Sequence, residues 1–157
     1  MSRGSTRLKR LLESWRKFVS EVKDSEQVVK AIIHSGNEFL VLRTEDPETY
    51  DLPGGHIHED EGRLTGLARE VEEETGLKID TESAEKLMVD ENTTFYLVGH
   101  SLKDEISLSD EHVGYKALSL DDIDEEDFSE KYLKAVKEAR KRLKDENTED
   151  KQDTTNK

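Results

Sequence analysis

Apolar residues recur at three- and four-residue steps along the first segment: Leu8, Leu11, Leu12, Trp15, Phe18, Val19 and Val22. That period predicts a helix with one apolar face, and Arg7, Lys9, Arg10, Arg16 and Lys17 fill the other. Such a helix packs on its own domain or on a second copy, giving a homodimer. A basic amphipathic helix can also dock on a membrane surface or a partner protein. The pattern then turns strand-like. Val28–Ile33 is rich in β-branched residues and Phe39–Leu42 resumes after Ser35-Gly36-Asn37-Glu38, a turn that predicts a hairpin. A polar loop with Pro47 spans Thr44 to Tyr50, and Leu52-Pro53-Gly54-Gly55 makes a sharp turn.

Helical spacing returns from about Gly62 to Thr75, where Leu64, Leu67, Ala68, Val71 and Thr75 form an apolar stripe and Gly76 follows as a cap. Short strands are predicted at Leu77–Asp80 and Leu87–Val89, a longer one at Thr93–His100, and another near Tyr115–Leu118 beyond the loop Lys103–Glu111. A last helix carries Phe128, Tyr132, Leu133, Val136, Ala139 and Leu143 on one stripe. From Asp145 onward no residue is apolar, and this tail is expected to lack structure. Hairpins among alternating strands and helices predict an α+β fold: a mixed sheet covered by helices on both sides.

Composition narrows this picture. The chain has 157 residues, 39% of them charged and 32% hydrophobic, which predicts one modest core with solvated ends. No apolar run exceeds four residues, so no membrane insertion is expected and the chain reads as soluble and cytoplasmic. Without cysteine there is no disulfide framework or thiolate metal site. The net charge of -14 disfavours nucleic acid as a partner. The same charge means that a phosphate-bearing ligand is held only if cations stand between it and the protein.

Seven acids lie between Leu52 and Leu77. With Glu70 at zero on a helical wheel, Glu73 lies about 60° to one side and Glu74 about 40° to the other, so the three share a face. Glu72 points away. Like charges at this spacing cost only about 0.2–0.5 kcal/mol per pair, so a plain solvated face would tolerate them. Arg69, four residues before Glu73, can hold a carboxylate in a fixed pose. Gly66 inside the helix suggests that something approaches the backbone there. Clustered carboxylates without thiols suit hard cations such as Mg2+ or Mn2+. His56 and His58 alternate about the turn but lack further donors for a softer metal. Phe95 and Tyr96 alternate in a strand, placing one in the core; the other could stack on a base, but a packed aromatic is the safer reading.

The spacing is more specific still. Five residues separate Gly55 from Glu61, seven more lead to Arg69, and Arg69-Glu70-Val71-Glu72-Glu73-Glu74-Thr75-Gly76-Leu77 follows. This resembles the Nudix box of the Nudix hydrolases at every defined position. Tyr50 to Gly55 is similar to the approach to that box, Phe39–Arg43 to the strand before it, and Glu111–Ala117 to a later Glu-His segment. Ala117 stands where tryptophan is frequent, and His58 where an acid is usual. The resemblance spans about Val28 to Ile123. It leaves a helical segment at 1–24 outside a domain placed at 25–144 and a tail at 145–157.

The resemblance implies a Nudix-like α/β/α sandwich with a mixed, curved central sheet and a loop-helix-loop catalytic motif. It implies cleavage of a nucleoside diphosphate linked to another group, by water attacking phosphorus. Glu70, Glu73, Glu74 and the Gly55 carbonyl would ligate the divalent ions, Glu61 would support the water network, and Arg69 would orient the glutamates. Glu70 and Glu111 are the two candidates for general base, although Glu111 could equally be a solvent residue. Arg43 is a candidate contact to a substrate phosphate, or a surface ion pair. Nucleoside triphosphates, nucleotide sugars, dinucleoside polyphosphates and an RNA 5' end all remain open as substrates. Asn92 and Thr93 replace the downstream proline typical of ADP-ribose cleavers, and Tyr96 falls slightly late for a dinucleoside polyphosphate cleaver. A silent nucleotide-binding or protein-interaction module is the alternative, and an acidic structural domain a third reading.

Overall fold

The computed structural model describes residues 8–16, 27–45 and 49–155, with side chains described as far as Glu146. A first helix, α1, covers residues 8–16. The strands are β1 (Val28–Ser35), β2 (Glu38–Arg43), β3 (Tyr50–Asp51), β4 (Gly54–His56), β5 (Glu85–Asp90), β6 (Thr93–Gly99) and β7 (Gly114–Ser119). Two further helices are α2 (Arg63–Thr75) and α3 (Glu130–Thr155).

The predicted hairpin forms between β1 and β2 around Gly36, whose φ of 60° is the left-handed shape the turn requires. The ladder between these strands holds at His34–Phe39 and Ser35–Glu38, after which each takes other partners. The first residues of β1 pair with β4, and the end of β2 pairs with β3. On their other sides, β1 runs parallel to β6 from Val28–Thr93 to His34–Gly99, and β2 runs antiparallel to β7. β5 closes the seven-stranded sheet against β6. One parallel ladder among antiparallel ones makes the sheet mixed, as expected.

Alternation along the strands divides the core in two. Val29, Ala31, Ile33 and Val98 point to one face, where α2 lays Leu67 and Val71. Ile32, Phe39, Val41, Phe95 and Leu97 point to the other, where Ala135, Val136 and Ala139 of α3 cover them. Phe39 stacks on Phe128 at 6.0 Å, and Phe95 meets Tyr132 edge-on at 5.9 Å. Each fully buried aliphatic or Phe side chain contributes about 1.5–3 kcal/mol, so helices on both faces are worth far more than their own propensities.

Several expectations are corrected. Leu77–Asp80 forms no strand, although Leu77 and Ile79 are buried in alternation. Its backbone lacks a neighbouring strand, and Asp80 instead caps a 3-10 turn over Thr81–Ser83. Leu64 is exposed on α2. Phe95 and Tyr96 both enter the core, one on each face, because the sheet is covered on both sides. The tail from Asp145 continues α3 to Thr155 rather than losing structure. Extending a helix that is already nucleated costs little per residue. Leu8, Leu11, Leu12 and Trp15 of α1 are 49–63% exposed. Phe18, Val19 and Val22, and Pro47 of the polar loop, lie outside the described residues.

Candidate active site

The loop between β4 and α2, α2 itself, and the turn before β4 meet at one end of β1. Gly54 has a φ of 141°, and a Cβ there would collide with the Val29 carbonyl, so only glycine lets the turn lie this close to β1. Its N–H donates to Glu74 Oε2 at 3.0 Å. Gly55 sits directly over Glu70: a Cβ would come within 2.5 Å of Glu70 Oε2. Two acids of α2 are thus applied to two consecutive glycines. Gly76, at φ 76°, ends the helix by donating to the Glu72 carbonyl. The neighbour anticipated for Gly66 is Ile57 together with Glu61, whose Oε1 would lie 2.9 Å from an added Cβ.

Arg69 organises the acids. Its Nε donates to Glu61 Oε2 at 2.8 Å, one terminal nitrogen to Glu61 Oε1 at 3.0 Å and to the His56 carbonyl at 3.1 Å. The other terminal nitrogen reaches Glu70 Oε1 at 3.0 Å and Glu73 Oε2 at 3.2 Å. The guanidinium fork therefore ties the loop to the helix, a task its planar geometry suits. Hydrogen bonding to Arg69 draws the Glu61 carboxyl down to about 2. Glu74 behaves oppositely. It is only 5% exposed, and burial raises its carboxyl to about 7 against the pull of the Gly54 N–H and the charges of Lys30 and His112.

Gly55, Glu70 and Glu74 open on a cleft of about 590 Å³ whose wall also carries Lys30, Asp51, Glu111 and Tyr132; Glu61, Arg69 and Glu73 are not among its lining residues. Arg69 joins Glu61, Glu70 and Glu73, and Gly55 sits over Glu70, whereas Glu74 takes the Gly54 N–H instead. Glu111 lies exposed on the cleft wall. Arg43 does not line the cleft; it is exposed at the end of β2, opposite Tyr50 and Gly114. Glu72 is exposed, as its wheel position predicts.

A NUDIX domain model matches residues 25–139, most of the chain. The chain belongs to the NUDIX domain family. The NUDIX likeness extends to a MutT-like protein of Streptomyces ambofaciens, 39% identical over 70 residues, which are 45% of this chain and 44% of that protein. The match thus spans under half the length of that relative. A MutT protein from Methanosarcina mazei Go1 is 27% identical with a TM-score of 0.54, over 78% of this chain and 97% of the other. An Ap4A hydrolase of C. elegans, solved as a binary complex, has a TM-score of 0.60 at 21% identity, over 74% of this chain and 96% of that one. The last likeness is one of fold alone. Nudix hydrolases generally use divalent metal ions. Here the donors fit such ions in kind, being carboxylates and carbonyls. Among the described residues no three acids or histidines already converge as a ready-made cation site. Arg69 is the present counter-charge of Glu70 and Glu73, and a cation would compete with it for their oxygens.

One part of the NUDIX cleft was not anticipated. Asp51 gathers Lys30 Nζ at 3.1 Å and the Tyr132 hydroxyl at 3.1 Å on one oxygen, and His112 Nε2 at 3.0 Å on the other. Lys30, a charge amid Val28-Val29-Ala31-Ile32-Ile33, was the signal available in the sequence.

Proposed function

We propose that this NUDIX domain hydrolyses a phosphoanhydride in a nucleoside diphosphate linked to another group, water attacking phosphorus. The substrate classes that suit this reading are nucleoside triphosphates, nucleotide sugars and dinucleoside polyphosphates. An RNA 5' end is disfavoured by the net charge of -14. The observation that carries the reading is the seating of Glu70 and Glu74 on Gly55 and Gly54 at the floor of the cleft.

Glu70, Glu73, Glu74 and the Gly55 carbonyl are the residues that would hold Mg2+, with Mn2+ as its substitute. When bound, the cation neutralises charge developing on the phosphoryl oxygens and acidifies the attacking water. Glu61 and Arg69 keep the helix and loop in register, so that the acids face the cleft together. Glu70 or Glu111 accepts the proton from the attacking water; both line the cleft. Arg43, outside the cleft wall, is a contact only for a ligand that extends past β2.

Incubation with Mg2+ and a panel of nucleotides, with chromatography of the products, tests this. Released pyrophosphate or phosphate identifies a triphosphate substrate, and paired monophosphates a nucleotide sugar or dinucleotide. Glu73→Gln and Glu74→Gln are expected to cut turnover by about 100-fold or more while the fold persists. Calorimetric binding of a nucleotide without hydrolysis of any panel member, with either metal, replaces the enzyme by a binding module.

A further inference from the structure

Lys30 is 8% exposed in the central strand of the sheet. A lysine there forfeits its hydration, and an apolar residue of similar volume usually serves stability as well or better. What Lys30 touches is specific. Its ammonium donates to the Leu52 carbonyl at 3.0 Å, the Gly54 carbonyl at 3.3 Å and Asp51 Oδ1 at 3.1 Å. All three donors are spent on the turn before β4. Gly54 is therefore held from both sides, its carbonyl by Lys30 and its N–H by Glu74. The next carbonyl along is that of Gly55. Asp51 extends the constraint in two directions: Tyr132 anchors it to α3, and His112, its side chain 2% exposed, anchors the loop in which Glu111 precedes it.

We infer that Lys30 is a positioning residue for this site, fixing the Gly54–Gly55 turn through the Leu52 and Gly54 carbonyls, and that Asp51 and His112 carry the same constraint to the segment bearing Glu111. The inference rests on the proposed hydrolysis for its catalytic meaning, but its structural content can be read without turnover. Lys30 lines the cleft, yet its ammonium is engaged by two backbone carbonyls and a carboxylate, and it acts through them.

The test compares Lys30→Met with wild type. Amide exchange in metal-free protein is read at Gly54 and, as reference, along β6. Mn2+ affinity is measured by calorimetry, and kcat and KM on whichever panel substrate turns over. The expected result is faster exchange at Gly54 than at the β6 reference, Mn2+ affinity weakened about 10- to 100-fold, and kcat lowered by a similar factor with KM nearly unchanged. An unchanged Gly54 amide in a folded variant overturns the inference, as does a rise shared equally with β6, which marks a merely structural lysine. Should Lys30→Met fail to fold because Asp51 is left buried and unpaired, the double variant Lys30→Met, Asp51→Asn removes both charges and keeps an acceptor for Leu52 N–H and Tyr132. The same readings on it decide. If wild type hydrolyses nothing, the proposed function falls, while the Gly54 exchange still tests the placement of the turn.

Discussion

Glu74 combines a buried carboxylate with a fixed partner, and its titration has a direction. Its ordinary value of 4.5 rises to about 7 in the fold because burial penalises the charge. A folded value above the unfolded one means that the native state keeps a proton the unfolded chain has released. The contribution of Glu74 to the stability of the metal-free protein is therefore fully present below pH 4.5 and is lost as the pH rises to about 7. The loss is on the order of 3 kcal/mol at most. In chelator, Glu74→Gln is expected to unfold at higher temperature than wild type at about pH 8, the difference vanishing at about pH 4; thermal unfolding across that range reads it. The two close-packed glycines respond differently. In Gly55→Ala the new methyl meets the far end of Glu70, which can swing aside, so turnover should fall while the melting temperature barely moves. In Gly66→Ala the methyl meets the branched core residue Ile57. Overpacking costs about 1–3 kcal/mol, against a propensity gain of about 1 kcal/mol. Denaturant unfolding should show a net loss of stability.

Among the elements, α2 was the most legible in the sequence. Its apolar stripe, its acidic face and its Gly76 cap are all local, and a 3.6-residue period is visible without knowing the partner. β3 and β4 were not legible, because two and three residues carry no period. The tail of α3 was misread because absence of apolar residues says nothing of a helix already nucleated by Ala135, Val136 and Ala139 on the sheet. The linked set Lys30, Asp51, His112 and Tyr132 comes from β1, β3, a loop and α3, and no pattern in the sequence joins them. Arg69 bonds Glu73 at the four-residue spacing visible in the sequence, while its bonds to Glu61 and the His56 carbonyl depend on how the loop folds back. That fold-back predicts the outcome of Arg69→Lys. A single ammonium cannot reproduce the fork. The Glu61 carboxyl should climb from about 2 toward its ordinary 4.5, which carboxylate NMR titration would report, and the loop ahead of α2 should exchange its amides faster.

At the scale of the whole molecule, a net charge of -14 is spread over the chain, and the cleft holds only Asp51, Glu70, Glu74 and Glu111 of its acids, with Lys30 and Lys131 beside them. Self-repulsion of this size is screened as the Debye length falls to about 8 Å at 0.15 M salt. The metal-free protein is therefore expected to melt at higher temperature as NaCl rises from low concentration, and a flat response would show that the fold has already neutralised its own charge. No helix among the described residues is long and apolar enough to cross a membrane.

The parallel ladder between β1 and β6 carries a consequence for the birth of the protein. Val28 must wait for Thr93, and everything between them, the acidic helix included, is made before the middle of the sheet can close. During that interval the emerging chain has a hairpin and a charged coil but no finished floor. The crowd of glutamates that later faces the cleft is then an asset of another kind. Their like charge opposes contact between two unfinished copies while the sixth strand is still missing.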